Sequence, residues 1–310
     1  MTEDPTGEQI HLRATFDTAI GTRDVTAHVA QVGASLRGLT VDGLDLVAPY
    51  PDGSPTPASS GRVLVPWPNR IRDGRWHDLY GVEHHLPITE PARHNAIHGL
   101  LATEPYLVHV SSSGDRAVLG ARIRPTEGYP ASLDTVVAYE LTEHGITVTH
   151  EIVNVGDDAA LLAVGAHPYL CLGSTPASDL VLRSPGASVI EVDDQMIPTA
   201  TVPVDAETDL RDGRVLADLT LDTGYTDLAR DPDGRVRHTL TDPEGRSVVL
   251  WQDEAFGWVQ LYTTTSYPGR PFTLAVEPMT APADAFNSGL GLRALDLGET
   301  FTASWGIERR

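Results

Sequence analysis

Thr135-Val136-Val137-Ala138-Tyr139-Glu140-Leu141 leads through Glu143-His144-Gly145 into Ile146-Thr147-Val148-Thr149-His150-Glu151-Ile152-Val153. Apolar and polar positions alternate on both sides of the glycine turn, which predicts a β-hairpin with one buried and one wet face. The same grammar recurs downstream. The tetrads Asp231-Pro232-Asp233-Gly234 and Asp242-Pro243-Glu244-Gly245 bracket a run from Arg235 to Leu240, and Ser247 to Trp251 follows. Proline presets φ at the second turn position and glycine tolerates the exit geometry, so both tetrads read as turns. Strand-like runs also cover Val25 to Val32, Arg116 to Arg124, Ser188 to Val192, Trp258 to Thr263, Phe272 to Val276 and Phe301 to Ile307. Amphipathic helices are scarce, and no fixed-period repeat points to a propeller. The expectation is an all-β sandwich or barrel forming a single domain over residues 1–310, with residues 1–9 disordered.

A chain of 310 residues buries about 75% of the surface its unfolded form exposes, so its core needs no disulfide or metal support. Its single cysteine, Cys171, excludes an internal disulfide. The net charge is −21, and all 22 basic residues are arginine. That acidity argues against nucleic acid and anionic membranes as partners. The polar N-terminus lacks the basic start and apolar core of a signal peptide, and the longest apolar stretch, around Ala159 to Ala166, is too short to span a bilayer. A cytoplasmic monomer or homodimer is the expectation.

Four islands carry candidate chemistry. Glu277 closes the apolar run Phe272-Thr273-Leu274-Ala275-Val276 and precedes Pro278, a residue that tends to end pairing. A carboxylate there is costly unless paired or used. His167 follows an apolar run and precedes Pro168-Tyr169; an imidazole can donate a proton near neutrality. Asn69-Arg70 follows two prolines and Trp67, and the arginine fork suits a hydroxylated or anionic ligand. His94 and His98 stand four apart, but no CxxC or HExxH accompanies them, so His98-Gly99 reads as a histidine presented to a pocket rather than a metal ligand. Each group taken alone has a structural explanation: a rim salt bridge, a core histidine or a surface ion pair. Trp67, Trp76, Trp251 and Trp258 read first as core. Cys171, in an apolar run, reads as an inert thiol.

Together the motifs resemble the aldose 1-epimerase (galactose mutarotase) family, in the wording of a bacterial branch. The matching stretches are Asn69-Arg70-Ile71 with Gly74, Asn95 with His98-Gly99, His167-Pro168-Tyr169, Gln260-Leu261-Tyr262-Thr263, and Glu277-Pro278 with Asp284-Ala285-Phe286-Asn287. The resemblance implies a β-supersandwich that needs no cofactor or metal. It implies Glu277 as general base and His167 as general acid. Arg70, His98, Asn69, Gln260 and Asp227 become sugar contacts. Gly165-Ala166 and Leu170-Cys171-Leu172 depart from the family's commonest wording around the histidine and bear on pocket shape. The implied reaction is interconversion of the α and β anomers of a free hexose by ring opening and reclosure. Two rivals share the scaffold: an epimerase of phosphorylated or sulfonated sugars, with Arg70, Arg72, Arg75 or Arg93 holding the anion, and a non-catalytic sugar-binding module.

Overall fold

The computed structural model describes residues 4–19 and 21–310. Among them, the strands gather into a twelve-stranded and a nine-stranded antiparallel sheet, with three two-stranded ribbons. The only α-helix among these residues is the four-residue Ala285–Ser288, and no helix is long and apolar enough to cross a membrane.

The predicted hairpin forms as Leu133–Thr142 and Gly145–Asn154, in register from Leu133↔Asn154 to Thr142↔Gly145. Burial alternates along both strands, as their sequence pattern requires. Gly145 has φ near 153°, and a Cβ there would meet the Ile307 carbonyl oxygen at 2.0 Å, so the turn needs glycine for space as well as conformation. Both proline tetrads close with the expected bonds, Gly234 N–H to Asp231 C=O at 2.8 Å and Gly245 N–H to Asp242 C=O at 3.0 Å.

The two sheets face each other across one apolar core. Leu12, Val25 and Leu39 of the larger sheet belong to the same cluster as Val137, Val148 and Trp305 of the smaller. Removing such side chains from water supplies most of the driving force for this arrangement. Trp67, Trp76 and Trp251 are buried, and the first two pack edge-on against Phe286.

The expected disorder of residues 1–9 gives way to a pinned segment from Asp4; residues 1–3 lie outside the described residues. Thr6 is 1% exposed and its carbonyl accepts from Val32 N–H, while Gln9 opens the first strand and accepts from the buried Arg37. Backbone pairing to a neighbouring strand outweighs the polar composition of this stretch.

Two core histidines set an acid limit. His150 Nε2 accepts from Trp305 Nε1 at 2.9 Å, and burial lowers its pKa from 6.5 to about 3. His238 lies between Ser184 and Gln252, and burial lowers it to about 4, with the Gln252 bond opposing. Between these values and 6.5 the unfolded chain binds the proton more readily than the folded one. Their contribution to stability is therefore complete above about pH 6.5 and lost as pH falls toward 4 and below. Glu277, whose pKa is raised, acts with the opposite sign. Urea titrations at pH 7 and pH 5 should show the lower midpoint at pH 5; equal midpoints would refute the assignment.

Candidate active site

The Thr273–Met279 strand is buried at every position, and Glu277 is 2% exposed. Pairing continues through Pro278, which sits opposite Val259, so the proline does not end the strand. On one side Glu277 lies directly opposite Gln260 of Trp258–Thr264. On the other side run two short strands, Gly165–Ala166 and Tyr169–Leu170. Gly165 pairs with Met279 and Tyr169 with Ala275, so the intervening His167 falls opposite Glu277. Directly opposed residues carry their side chains to the same face of a sheet. The two groups meet accordingly, with His167 Nε2 3.2 Å from Glu277 Oε1.

Burial governs this pair. It raises the Glu277 carboxyl well above 4.5, repulsion from Asp222 adds to the shift, and Arg70 opposes it. Burial also lowers the His167 imidazole to about 4. Proximity favours opposite charges on the two groups; desolvation pushes both the other way, toward an uncharged carboxyl beside an uncharged imidazole. The pair therefore holds one proton that can move across 3.2 Å without changing the net charge. Among the described residues, no group pairs with the buried Glu277 Oε2.

Arg70 comes from a ribbon, Arg70–Arg72 paired with Asn95–Ile97. Its Nε and Nη2 donate to the two oxygens of Glu90 at 2.9 and 3.0 Å, and Nη2 stands 3.9 Å from Asp222. Burial alone would lower the Arg70 pKa, but the Glu90 bond and the charges of Asp222, Glu90 and Glu277 raise it overall. Asn69 is buried, with its side chain between Arg70 and Met279. The loop around Asp284 pins this ribbon: Asp284 N–H donates to the Arg70 carbonyl, and its carboxylate accepts from Arg72 N–H.

His98 follows the ribbon at φ 65°, with its ring perpendicular to His167 at 5.4 Å and a buried Nδ1 that has no hydrogen-bond partner among the described residues. Burial, then the charges of His167, Arg70 and Arg62, keep it neutral. Gly99 holds φ 77°, and a Cβ there would meet the Val65 carbonyl oxygen at 2.2 Å. The glycine is thus required by close backbone approach rather than by flexibility. His94 turns away from His98 and bonds Asp73 at the surface.

Five of the expected sugar contacts and catalytic groups, Glu277, His167, Arg70, His98 and Gln260, converge here, with Asn69 beside them. Asp227 does not join them. It is exposed, at φ 52°, and accepts from the Ser188 hydroxyl at 2.6 Å. The carboxylate in the site is Asp222, which accepts from Gln260 Nε2 at 2.7 Å. Gly224 lies opposite Gln260, so Asp222, two residues earlier, shares that face, whereas Asp227 has the opposite strand parity. A narrow cleft beside the cluster is lined by Asn69, Arg70, Gly224, Gln260, Ile190 and Met196. The last two belong to the hairpin of Gly186–Val192 and Pro198–Pro203. Its tip is tied to the ribbon through Gln195, bonded to Arg72 and Asp73.

Glu90, which no sequence signal distinguished from a rim charge, positions Arg70. Glu90→Gln should raise KM about tenfold, the scale of one charge-assisted hydrogen bond, with a smaller effect on kcat. A fall in kcat at unchanged KM in steady-state kinetics would contradict the positioning role.

A family model described as aldose 1-epimerase matches residues 18–308. The chain is 35% identical over 289 residues to the uncharacterized protein YihR of Escherichia coli (strain K12), covering 89% of this chain and 87% of that one. In fold it is similar to the GalM/aldose epimerase homologue from C. elegans, at a TM-score of 0.81 and 19% identity over 98% of both chains. It is also similar to galactose 1-epimerase from Lactobacillus acidophilus NCFM, at a TM-score of 0.78 and 17% identity over 98% of both chains.

Proposed function

The chain belongs to the aldose 1-epimerase family, and on that premise we propose that it interconverts the α and β anomers of a free aldose. The observation that carries this reading is the buried His167–Glu277 pair at 3.2 Å, flanked by Arg70, Asp222 and Gln260. The sugar C1 hydroxyl faces Glu277 and its ring oxygen faces His167. Hydroxyls bonded to the surrounding polar groups restore some of the solvation lost on burial, which favours the charged tautomer, carboxylate with imidazolium. Glu277 then takes the C1 hydroxyl proton while His167 donates to the ring oxygen, and the C1–O5 bond breaks to give the open aldehyde. Rotation about C1–C2 and reclosure, with both protons returned, deliver the other anomer. A positioned acid and base contribute about 10²–10⁴ in rate. Arg70 and His98 hold hydroxyls and stabilise charge that develops on oxygen.

Polarimetry of freshly dissolved α-D-glucose and α-D-galactose tests the reading. Acceleration over buffer is expected. Its absence with these and with every other free aldose, neutral or acidic, would sink it and leave the non-catalytic binding module.

A further inference from the structure

In the reaction proposed above His167 donates the proton, yet among the described residues no other residue bonds its buried Nδ1. A histidine is commonly aimed by a hydrogen bond to its second ring nitrogen. Here the ring takes its direction from what packs on it. His98 stands nearly perpendicular at 5.4 Å, and Tyr169 lies tilted by 31° with its ring centre at 5.3 Å. Tyr169 follows His167 by two residues, so the strand period sends both side chains to one face. Between them the Pro168 carbonyl is fastened by Val276 N–H at 3.1 Å.

Tyr169 is itself fully buried and held from two directions. Its ring packs on that of Tyr267 at 4.8 Å, and its hydroxyl donates to the Ala58 carbonyl at 3.3 Å. The Tyr267 hydroxyl donates its single proton to the Ala48 carbonyl at 2.7 Å, so it accepts from the Ser60 hydroxyl, 2.9 Å away. Burial raises the pKa of both phenols, which keeps their protons in place.

The tyrosines brace an unusual stretch of backbone. Ala58, Ser59 and Gly61 have φ of 42°, 57° and 68°. Left-handed alanine and serine persist only where their surroundings fix them. The same loop grips His167: Gly61 N–H donates to the His167 carbonyl at 2.8 Å, and His167 N–H donates to the Arg62 carbonyl at 3.1 Å. One assembly thus holds the histidine twice, at its ring through Tyr169 and at its backbone through the loop that both tyrosines brace.

We propose that Tyr169 is a positioning residue that aims the His167 ring at Glu277, and that Tyr267 and the loop 58–61 keep it in place. Tyr169 acts through the histidine alone. This inference rests on the epimerase reading for what His167 does, and its test separates the two.

Anomer exchange, measured by NMR at high protein concentration, compares the unmodified protein with Tyr169→Leu, Tyr169→Phe and Tyr267→Phe. Each variant is also made in a His167→Asn background. Tyr169→Leu should lose about 10²-fold in kcat at nearly unchanged KM, the scale of a misplacement by about 1 Å. Tyr169→Phe and Tyr267→Phe keep the rings and should each lose up to about tenfold in kcat, the scale of one hydrogen bond. They carry the same comparison if the leucine variant does not fold. In the His167→Asn background none of the three should slow exchange further, because nothing is left to aim. Losses that persist in that background, a change in KM alone, or an unchanged kcat overturn the proposal. If no aldose is exchanged faster than in buffer, the epimerase reading falls, and crystal structures of the Tyr169 variants then decide the positioning by themselves. The His167 ring should turn away from Glu277; a contact kept at 3.2 Å removes the proposal.

Discussion

Replacing Glu277 by Gln should slow anomer exchange about 10²–10⁴-fold and leave the fold intact. The amide matches the size of the carboxyl and cannot accept a proton as carboxylate does. The fold should persist because burial already favours the uncharged form of Glu277, so the substitution removes no charge that the resting structure relies on. Its melting temperature should equal or exceed that of the unmodified protein. NMR exchange rates and a thermal melt on one preparation check both parts. Activity retained within tenfold would remove Glu277 from the proton transfer, and a collapsed melt would mean that its role is structural.

His167→Asn should lose about the same 10²–10⁴-fold. The stronger expectation concerns the double variant. A base without its acid leaves the ring oxygen to be protonated by water, and an acid without its base leaves the hydroxyl proton in place. Groups that act as a unit give grossly non-additive losses. Glu277→Gln with His167→Asn should therefore be no more than about tenfold slower than the worse single variant. Multiplicative losses would show that the two residues act in separate steps, despite their 3.2 Å contact.

The sheet architecture was legible because alternation is a local signal. The runs at Leu133–Thr142, Gly145–Asn154 and Val236–Thr241 each state their own inward face. The pinned N-terminal segment was not legible, since Thr6 and Gln9 are held by residues far along the chain. Within the site, Glu277, His167, Arg70 and His98 stand out as polar residues set in apolar or glycine-proline surroundings, whereas Gln260 is marked only by the family resemblance. The family resemblance points to Asp227, and only the register against Gln260 shows that Asp222, in the same strand, is the carboxylate that faces the cleft. Glu90 had no local mark at all; its meaning comes from a bidentate contact with Arg70, twenty residues away. The protonation of the central pair was equally hidden, because it depends on burial that no single segment specifies.

The row from Gln260 through Glu277 to His167 works as a ruler whose divisions are strand spacings, about 4.8 Å each. Its central marks are fixed by backbone pairing and cannot slide to suit a longer or shorter sugar without unpairing the sheet. Adaptation to a new substrate is then confined to the two ends of the scale. At one end are Gly224 and the hairpin tip fastened by Gln195; at the other is the short strand Val63–Leu64, paired with Gly165–Ala166. Exchanging side chains at those ends should redirect which aldose is gripped, while the proton-transfer distance between them stays the same.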